Sequence, residues 1–128
     1  MGNDRIFGNS GGDVLTGGDG DDLLHARTGN DRYTGGAGFD KIYDGDVFGD
    51  SDDFIVAPGM DTDVVQGFQN GRDEIDVSAF GFTQISDLSG MLQQINGHAV
   101  FDFAPGDRLI LIGVNTGLID ASDFIFAS

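Results

Sequence analysis

The chain lacks cysteine and tryptophan altogether, and it has only two prolines and six basic residues in 128 positions. Without cysteine it forms no disulfide bonds and offers no thiolate to a metal ion. No apolar run approaches the roughly 18 residues that a membrane-spanning helix needs, and no signal-peptide pattern follows Met1. Stability therefore has to come from a source other than disulfide bonds or thiolate-bound metal.

Charge of one sign dominates the composition, since 22 acidic residues against six basic ones give a formal net charge of −16. Like charges at this density repel one another and oppose compaction unless counter-ions are held. Nucleic acids and anionic membrane surfaces are poor partners for such a chain, whereas a multivalent cation is a natural one. We therefore expect a cation-dependent monomer with no nucleic-acid partner and no membrane span.

An aspartate recurs every nine residues near the start of the chain, with a glycine two places before it and an apolar residue two places after it. The aspartates are Asp4, Asp13, Asp22, Asp31 and Asp40, and the apolar residues are Ile6, Leu15, Leu24, Tyr33 and Ile42. Segments 17–25 and 35–43 fit the pattern G-G-x-G-x-D-x-U-x, which is typical of calcium-binding parallel β-helices. Met1 occupies the third position of its unit, so we expect a fragment of a longer repeat array.

Glycines at the first, second and fourth positions allow the positive φ angles of a tight six-residue turn. Three residues of strand follow, and only the apolar eighth residue of the unit points inward. Two nine-residue units make one coil, so successive turns stack on alternate edges. The first edge is predicted to carry Asp4, Asp22 and Asp40, and the second Asp13 and Asp31. The predicted core ladders are Ile6, Leu24 and Ile42 on one side and Leu15 and Tyr33 on the other.

Carboxylate and carbonyl oxygens of stacked turns converge on gaps that suit a hard cation with six or more oxygen ligands. This is calcium chemistry, because magnesium prefers smaller octahedral sites and keeps its bound waters. We predict about three or four calcium ions, and at most about five, between the stacked turns. The predicted carboxylate pairs are Asp4/Asp22, Asp22/Asp40, Asp13/Asp31, and Asp31 with the turn that follows.

Two other interpretations of the repeats stay open at this point. A flexible Gly/Asp-rich linker has a similar composition, but a linker does not keep an apolar residue in phase with its glycines. A metal-free β-solenoid buries too little apolar surface to offset roughly 1–2 kcal/mol of backbone entropy per ordered residue. Ion binding has to supply the difference, so we expect folding and calcium binding to be one event.

The repeat register breaks after Tyr43 and resumes at 48–56, where Asp53 is the predicted aspartate and Ile55 the predicted inward residue. This segment predicts a last, distorted coil. An acidic loop is predicted to bulge outward from this coil, and its acids are Asp44, Asp46, Asp50 and Asp52. We therefore divide the chain into a nonapeptide-repeat region at 1–56 and a capping region at 57–128 that continues from it.

Ordinary strand and turn patterns replace the nonapeptides from residue 57. One hairpin is predicted from 64–68 and 74–77 around Asn70-Gly71, and a second from 99–103 and 108–112 around Pro105-Gly106. Ser86 is predicted to cap a helix that Asn96-Gly97 stops, with apolar residues Leu88, Met91, Leu92 and Ile95. The run 109–112 predicts a strand covered on both faces, and 124–126 a closing strand. The predicted fold is all-β, a parallel β-roll followed by a β-rich C-terminal cap with one short helix.

With these repeats and the segment 61–82 that follows them, the chain resembles the RTX family of secreted bacterial proteins. Similar modules occur in serralysin-type metalloproteases and alginate C5-epimerases. The resemblance implies a β-roll that stays unfolded in the cytoplasm, leaves through a type I secretion apparatus, and folds in calcium outside the cell. It also implies an uncleaved export signal at 123–126, although these residues equally suit a final core strand.

The resemblance implies a set of calcium ligands that act through carboxylates or backbone carbonyls. They are Asp4, Gly8, Ser10, Asp13, Gly17, Asp19, Gly20, Asp22, Gly29, Asp31, Gly35, Ala37, Gly38, Asp40 and Asp53. Four further acids follow the repeats, and they either bind another ion or form solvated surface. These are Asp61, Asp63, Asp73 and Asp76.

The sequence contains no recognisable catalytic constellation. His25 and His98 are not at metal-ligand spacing, and neither an HExxH motif nor a Gly-x-Ser-x-Gly elbow occurs. We expect no enzyme activity here, and a catalytic domain such as a metalloprotease or an epimerase would belong to the parent protein. The predicted function is calcium-triggered folding and export of that parent to the outside of the cell. The alternative is a calcium-dependent module that binds an anionic polysaccharide such as alginate.

Overall fold

The computed structural model describes residues 2–8, 11–44, 51–69, 72–88 and 90–127, and within them the chain is built from short strands. The strands are β1 (Arg5–Phe7), β2 (Val14–Thr16), β3 (Leu23–Ala26), β4 (Arg32–Thr34), β5 (Asp40–Asp44), β6 (Asp53–Ile55), β7 (Thr62–Gln66), β8 (Glu74–Asp76), β9 (Leu92–Ile95), β10 (His98–Ala104), β11 (Asp107–Leu111) and β12 (Phe124–Ile125). Short 3₁₀ helices span Ser78–Phe80, Ile85–Leu88, Thr116–Leu118 and Ala121–Asp123. None of the helices among these residues is long and apolar enough to cross a membrane.

Strands β1 to β8 alternate between two sheets, as the nine-residue period of the repeats predicts. The seven-stranded sheet has the order β1-β3-β5-β7-β11-β10-β9, and the five-stranded sheet has the order β12-β8-β6-β4-β2. Strands β1, β3, β5, β7 and β11 pair in parallel, as do all neighbours in the five-stranded sheet. The all-β fold with a parallel β-roll is therefore confirmed.

Both predicted core ladders are present and extend beyond the repeats. Ile6, Leu24, Ile42, Val65 and Leu111 are successive partners in the seven-stranded sheet. Leu15, Tyr33, Phe54, Ile75 and Phe124 are successive partners in the five-stranded sheet. All of these side chains are buried except Ile6, which is half-buried. The two ladders face each other and form the core of the roll.

The far end of the roll is closed by antiparallel strands and aromatic packing. The predicted hairpin around Pro105-Gly106 is confirmed, because β10 and β11 pair antiparallel. Phenylalanine rings pack over the end of both sheets, with neighbouring ring centroids 5.0–6.4 Å apart. These rings belong to Phe80, Phe82, Phe101, Phe103, Phe124 and Phe126. The predicted closing strand is also confirmed, as β12 pairs with β8.

The helix predicted after Ser86 is wrong. The segment forms a 3₁₀ turn over Ile85–Leu88, and Leu92–Ile95 is strand β9, which pairs antiparallel with β10. Asn96 and Gly97 have φ angles of 51° and 81°, the conformation of a two-residue hairpin turn. The Asn-Gly pair therefore connects two strands, and the helix-like apolar spacing of this segment does not form a helix.

The hairpin predicted from 64–68 and 74–77 is also wrong. Strand β7 lies between β5 and β11 in one sheet, and β8 lies between β6 and β12 in the other. These two strands form another coil of the roll, while Asn70 and Gly71 lie outside the described residues. The strand at 109–112 is likewise not covered on both faces, because Ile110 and Ile112 remain half-buried.

The predicted register of the last repeat is shifted by one residue. Arg32, Tyr33 and Thr34 pair with Asp53, Phe54 and Ile55, so Phe54 and not Ile55 extends the core ladder. Asp52 therefore occupies the place predicted for Asp53. The outward acidic loop is also incorrect at both ends, because Asp44 and Asp52 are buried, at 8% and 0% exposure. Asp46 and Asp50 lie outside the described residues.

Candidate calcium-binding site

The aspartates of the first edge form a stacked series, which we call the first ladder (Asp4, Asp22, Asp40 and Asp63). The backbone N–H of Asp4 donates to Oδ1 of Asp22 over 2.8 Å, and that of Asp22 donates to Oδ1 of Asp40 over 2.9 Å. Asp63 continues the series, since its carboxylate accepts a hydrogen bond from the backbone of Asp40. The predicted pairs Asp4/Asp22 and Asp22/Asp40 are thus direct neighbours.

The opposite edge carries a second ladder (Asp13, Asp31, Asp52 and Asp73) with the same geometry. Asp31 Oδ1 accepts from the N–H of Asp13 over 2.8 Å, and Asp52 Oδ1 accepts from Asp31 over 2.7 Å. Asp73 Oδ1 accepts from the N–H of Asp52 over 2.9 Å. The turn that follows Asp31 contributes Asp52, and the ladder then extends past the repeats to Asp73.

The second carboxylate oxygen of several ladder residues is buried without a hydrogen-bond partner. These atoms are Asp22 Oδ2, Asp40 Oδ2, Asp52 Oδ2 and Asp63 Oδ1, in side chains that are at most 3% exposed. A buried, unpaired carboxylate oxygen is costly unless a cation or a proton satisfies it. Each ladder therefore presents oxygen atoms that fit a cation.

The electrostatics of the ladders lead to the same conclusion. Burial raises the pKa of Asp63 to about 9, and the charge of Asp40 adds to the effect. Burial also raises the pKa of Asp73 to about 6, and it raises the pKa of Asp40. A bound divalent cation takes the place of the proton and lets such groups ionise inside the protein.

Glycines let the backbones of stacked turns approach one another closely. Gly29 and Gly38 have φ angles of 114° and 117°, and a Cβ on either would overlap the carbonyl of the turn stacked against it. The N–H groups of Gly17 and Gly20 donate to the carbonyls of Thr34 and Ala37 over 2.9 and 3.0 Å. Hard oxygen atoms from carboxylates and carbonyls therefore lie side by side at each edge, and this donor set fits calcium.

The remaining predicted ligands have varied surroundings. Gly8 and Gly35 are buried first-position residues whose Cα atoms face the aspartate of their own turn, while Asp19 is exposed. Ser10 lies outside the described residues. Asp53 is half-buried beside Phe54 and lies off the second ladder.

Of the four acids after the repeats, only Asp63 and Asp73 join the ladders. Asp61 is exposed and accepts a hydrogen bond from the N–H of Gly38 over 3.0 Å. Asp76 accepts from the N–H of Ser78 over 3.0 Å. The sequence does contain a signal for the ladder members that lie outside the regular repeats. An apolar residue follows two places after Asp52, Asp63 and Asp73, as in every repeat.

Comparison with known protein families identifies the repeat region. The model of the RTX calcium-binding nonapeptide repeat matches four copies, over residues 1–33 and 25–46. The comparison with curated proteins found no match.

Comparison with solved structures finds the same fold over nearly the whole chain. The extracellular lipase LipA from Serratia marcescens is similar with a TM-score of 0.77 and 21% identity, over 98% of this chain and 20% of the lipase chain. The AlgE6R3 subunit of the Azotobacter vinelandii mannuronan C5-epimerase gives a TM-score of 0.74 and 28% identity, over 98% of this chain and 79% of that chain. The AlgE6R2 subunit of the same epimerase gives 0.62 and 25%, over 97% of this chain and 93% of that one.

The chain thus spans about a fifth of the lipase and most of each epimerase subunit. The repeat match lies where the structure places the first members of both aspartate ladders. Residues 1–46 therefore match RTX calcium-binding nonapeptide repeats, and strands β1 to β5 within them form the first coils of a β-roll.

Proposed function

We propose that this chain is a calcium-triggered folding module that supports the secretion and stability of a parent protein. The observation that carries this proposal is the set of buried, unpartnered carboxylate oxygens on Asp22, Asp40, Asp52 and Asp63. With calcium absent, ionised carboxylates at these positions would repel one another in a low-dielectric interior. The folded roll is therefore favoured only where calcium is abundant.

The small core supports the same proposal. Four strands of the roll, β2, β4, β6 and β8, are three residues long and bury one side chain each. This burial is small beside the roughly 1–2 kcal/mol of backbone entropy lost per ordered residue. Cation binding supplies the missing free energy, so binding and folding are coupled.

We place the folded state outside the cell, where calcium is plentiful. The similarity to a lipase described as extracellular supports this location. In the folded chain Asp123 and Phe124 are buried, and the Phe124 ring lies 5.8 Å from that of Phe101. A type I secretion apparatus would therefore recognise the segment 123–126 before the chain folds. In this proposal residues 1–56 supply the repeat sites, residues 57–128 add a further coil and cap the roll, and any catalysis belongs to the parent.

Calcium-dependent binding of an anionic polysaccharide is a second candidate. A groove of about 500 Å³ on the outer face of β1, β3 and β5 includes Arg5 and Lys41 together with Phe39 and Tyr43. Cationic and aromatic side chains of this kind can contact the carboxylates and ring faces of acidic sugars. The similarity to subunits of a mannuronan epimerase favours this candidate, whereas Asp21 in the same groove opposes it.

Calcium titration followed by far-ultraviolet circular dichroism tests the folding proposal. We expect the calcium-free chain to be largely disordered at neutral pH and to gain β-structure at about 10⁻⁴–10⁻³ M calcium, the range of extracellular modules. Magnesium at equal concentration should not replace calcium. A fully ordered chain in excess chelator at neutral pH would contradict the proposal. Retention of the calcium-loaded chain on an alginate column at moderate salt would establish the second candidate.

A further inference from the structure

The residue at the first position of each turn faces the aspartate ladder of that edge. A Cβ added at Gly17 or Gly35 would overlap a carboxylate oxygen of Asp22 or Asp40, respectively. Glycine leaves this space empty in those turns. A longer side chain at a first position would therefore be directed toward the ladder.

Asp44 is the last residue of β5 and follows nine residues after Gly35, so it holds a first position in the repeat register. Its carboxylate meets those of Asp52 and Asp73, two consecutive members of the second ladder. One oxygen from each of the three residues lies within 4.8 Å of the others, and the residues are 8%, 0% and 1% exposed. The earlier first positions at this edge hold Gly8 and Ala26, so Asp44 adds a carboxylate that those turns lack.

Within this cluster the hydrogen bonds leave Asp52 Oδ2 buried and unsatisfied. Asp73 Oδ1 and Oδ2 accept from the N–H groups of Asp52 and Gln69 over 2.9 and 2.7 Å. Asp52 Oδ1 accepts from the N–H of Asp31, while Asp52 Oδ2 has no hydrogen-bond partner although its side chain is completely buried. This orphaned atom points to a missing cationic ligand.

We propose that Asp44, Asp52 and Asp73 form an additional calcium site where the last coil of repeats meets the capping region. Calcium binds oxygen atoms at about 2.3–2.6 Å, so ligands on opposite sides of one ion lie up to about 5 Å apart. The observed separations fit around a single ion of this size. This inference deepens the proposed function and rests on it, because it assumes that calcium stabilises the roll.

The third carboxylate makes this site different from the paired sites of the repeats. Three negative charges attract a divalent cation more strongly than two, and ligand charge is a main determinant of calcium affinity. The ligands come from the end of β5 and from the residues just before β6 and β8, so one ion connects both sheets. The site therefore binds calcium first as the calcium concentration rises. Its occupancy orders the junction between the repeats and the capping region, and the roll forms from there.

Isothermal titration calorimetry and equilibrium dialysis on the full chain test this site. Asp44→Asn keeps the size of the side chain and removes its charge, while Asp53→Asn neutralises a neighbouring acid that lies off the ladder. We expect Asp44→Asn to bind one calcium ion fewer, to lose the tightest class of binding, and to fold at about tenfold higher calcium. Asp53→Asn should match the unchanged protein in ion number and in the calcium concentration at half-folding.

A second variant, Asp44→Gly, introduces the residue found at first positions 8, 17 and 35 and serves if Asp44→Asn does not fold. An unchanged ion number and an unchanged tightest class in the folded variant would overturn the site, as expected if a shared proton satisfies the three carboxyl groups. Failure of the unchanged protein to gain structure with calcium would instead contradict the proposed function. The two failures are thus distinguishable.

Discussion

The carboxylate of Asp22 has two tasks, one for each of its oxygens. Oδ1 accepts the N–H of Asp4 over 2.8 Å and fixes the stacking of two turns, while Oδ2 is buried without a hydrogen-bond partner. The N–H of Asp22 in turn donates to Asp40. A single ladder aspartate therefore connects the turn before it and the turn after it.

Replacing Asp22 should consequently affect two stacked sites at once. We expect Asp22→Ala to raise the calcium concentration at half-folding by about 10–100-fold. Mutations of residues that support a metal site commonly lower metal affinity by this factor. Asp53→Ala should have a much smaller effect, because Asp53 lies off the ladder. Circular dichroism during calcium titration measures both midpoints. Equal shifts for the two variants would contradict the stacking scheme.

The aspartates of the regular repeats could be predicted from the sequence because three residue types share one period. The last repeat could not be placed, since Asp52 with Phe54 and Asp53 with Ile55 both satisfy the rule of an apolar residue two places after the acid. Pairing of Tyr33 with Phe54 decides between them. Two stacked rings with centroids 5.1 Å apart and planes 4° from parallel extend the core ladder, and a local pattern does not reveal that contact.

At the scale of the element, each turn of the roll depends on how closely it approaches the turn stacked on it. Gly18 and Gly36 both occupy the second position of a repeat and have φ angles of 94° and 95°. A Cβ on Gly36 would overlap the carbonyl of Gly18, whereas nothing lies within 4 Å of the place where a Cβ on Gly18 would be. The two glycines thus share a backbone conformation and differ in crowding.

Alanine substitutions at Gly18 and Gly36 separate the cost of a positive φ angle from the cost of a steric overlap between stacked turns. Gly18→Ala should lower the free energy of unfolding by about 1 kcal/mol, because alanine disfavours positive φ. Gly36→Ala should lower the free energy of unfolding by about a further 1–3 kcal/mol, because the stacked turns have to move apart. Urea unfolding in saturating calcium measures both values. Equal losses would show that close stacking of the turns does not limit the residue at position 36.

The strands of the roll follow from the nine-residue period, but the elements of the cap depend on distant partners. Leu92 and Ile95 fit the apolar spacing of a helix, yet they lie in β9 because β10 offers a strand edge after the Asn96-Gly97 turn. Similarly, β7 and β8 are separated by a short connection but belong to different sheets. Local patterns cannot show which sheet edge is available, and this is why the hairpin and the helix were mispredicted.

At the scale of the whole molecule, negative charge is both the obstacle to folding and the means of controlling it. The chain has a net charge of −16, and part of it is buried in the two ladders. Calcium and protons are alternative ways to neutralise those buried carboxylates. The balance between them predicts how stability changes with pH.

For the calcium-free chain, the raised pKa values decide whether stability rises or falls with pH. Burial raises the pKa of Asp63 from 3.8 in an exposed aspartate to about 9, and that of Asp73 from 3.8 to about 6. Between the exposed value of 3.8 and the folded value of about 9, the folded state binds more protons than the unfolded state. The stability of the folded state therefore decreases as pH rises. The calcium-free chain should therefore be more ordered near about pH 5 than near about pH 8.

Saturating calcium should reverse this dependence, because calcium binds the ionised carboxylates and protons displace it at low pH. Circular dichroism across this pH range, with and without calcium, gives both profiles. Asp63→Asn is the matched control, since a permanently neutral amide should flatten the calcium-free profile above about pH 6, the range in which Asp63 with its pKa of about 9 loses its proton. A calcium-free chain that gains structure as pH rises would mean that the buried ladder carboxyls do not govern folding. In that case some other balance of forces would have to hold the two sheets together.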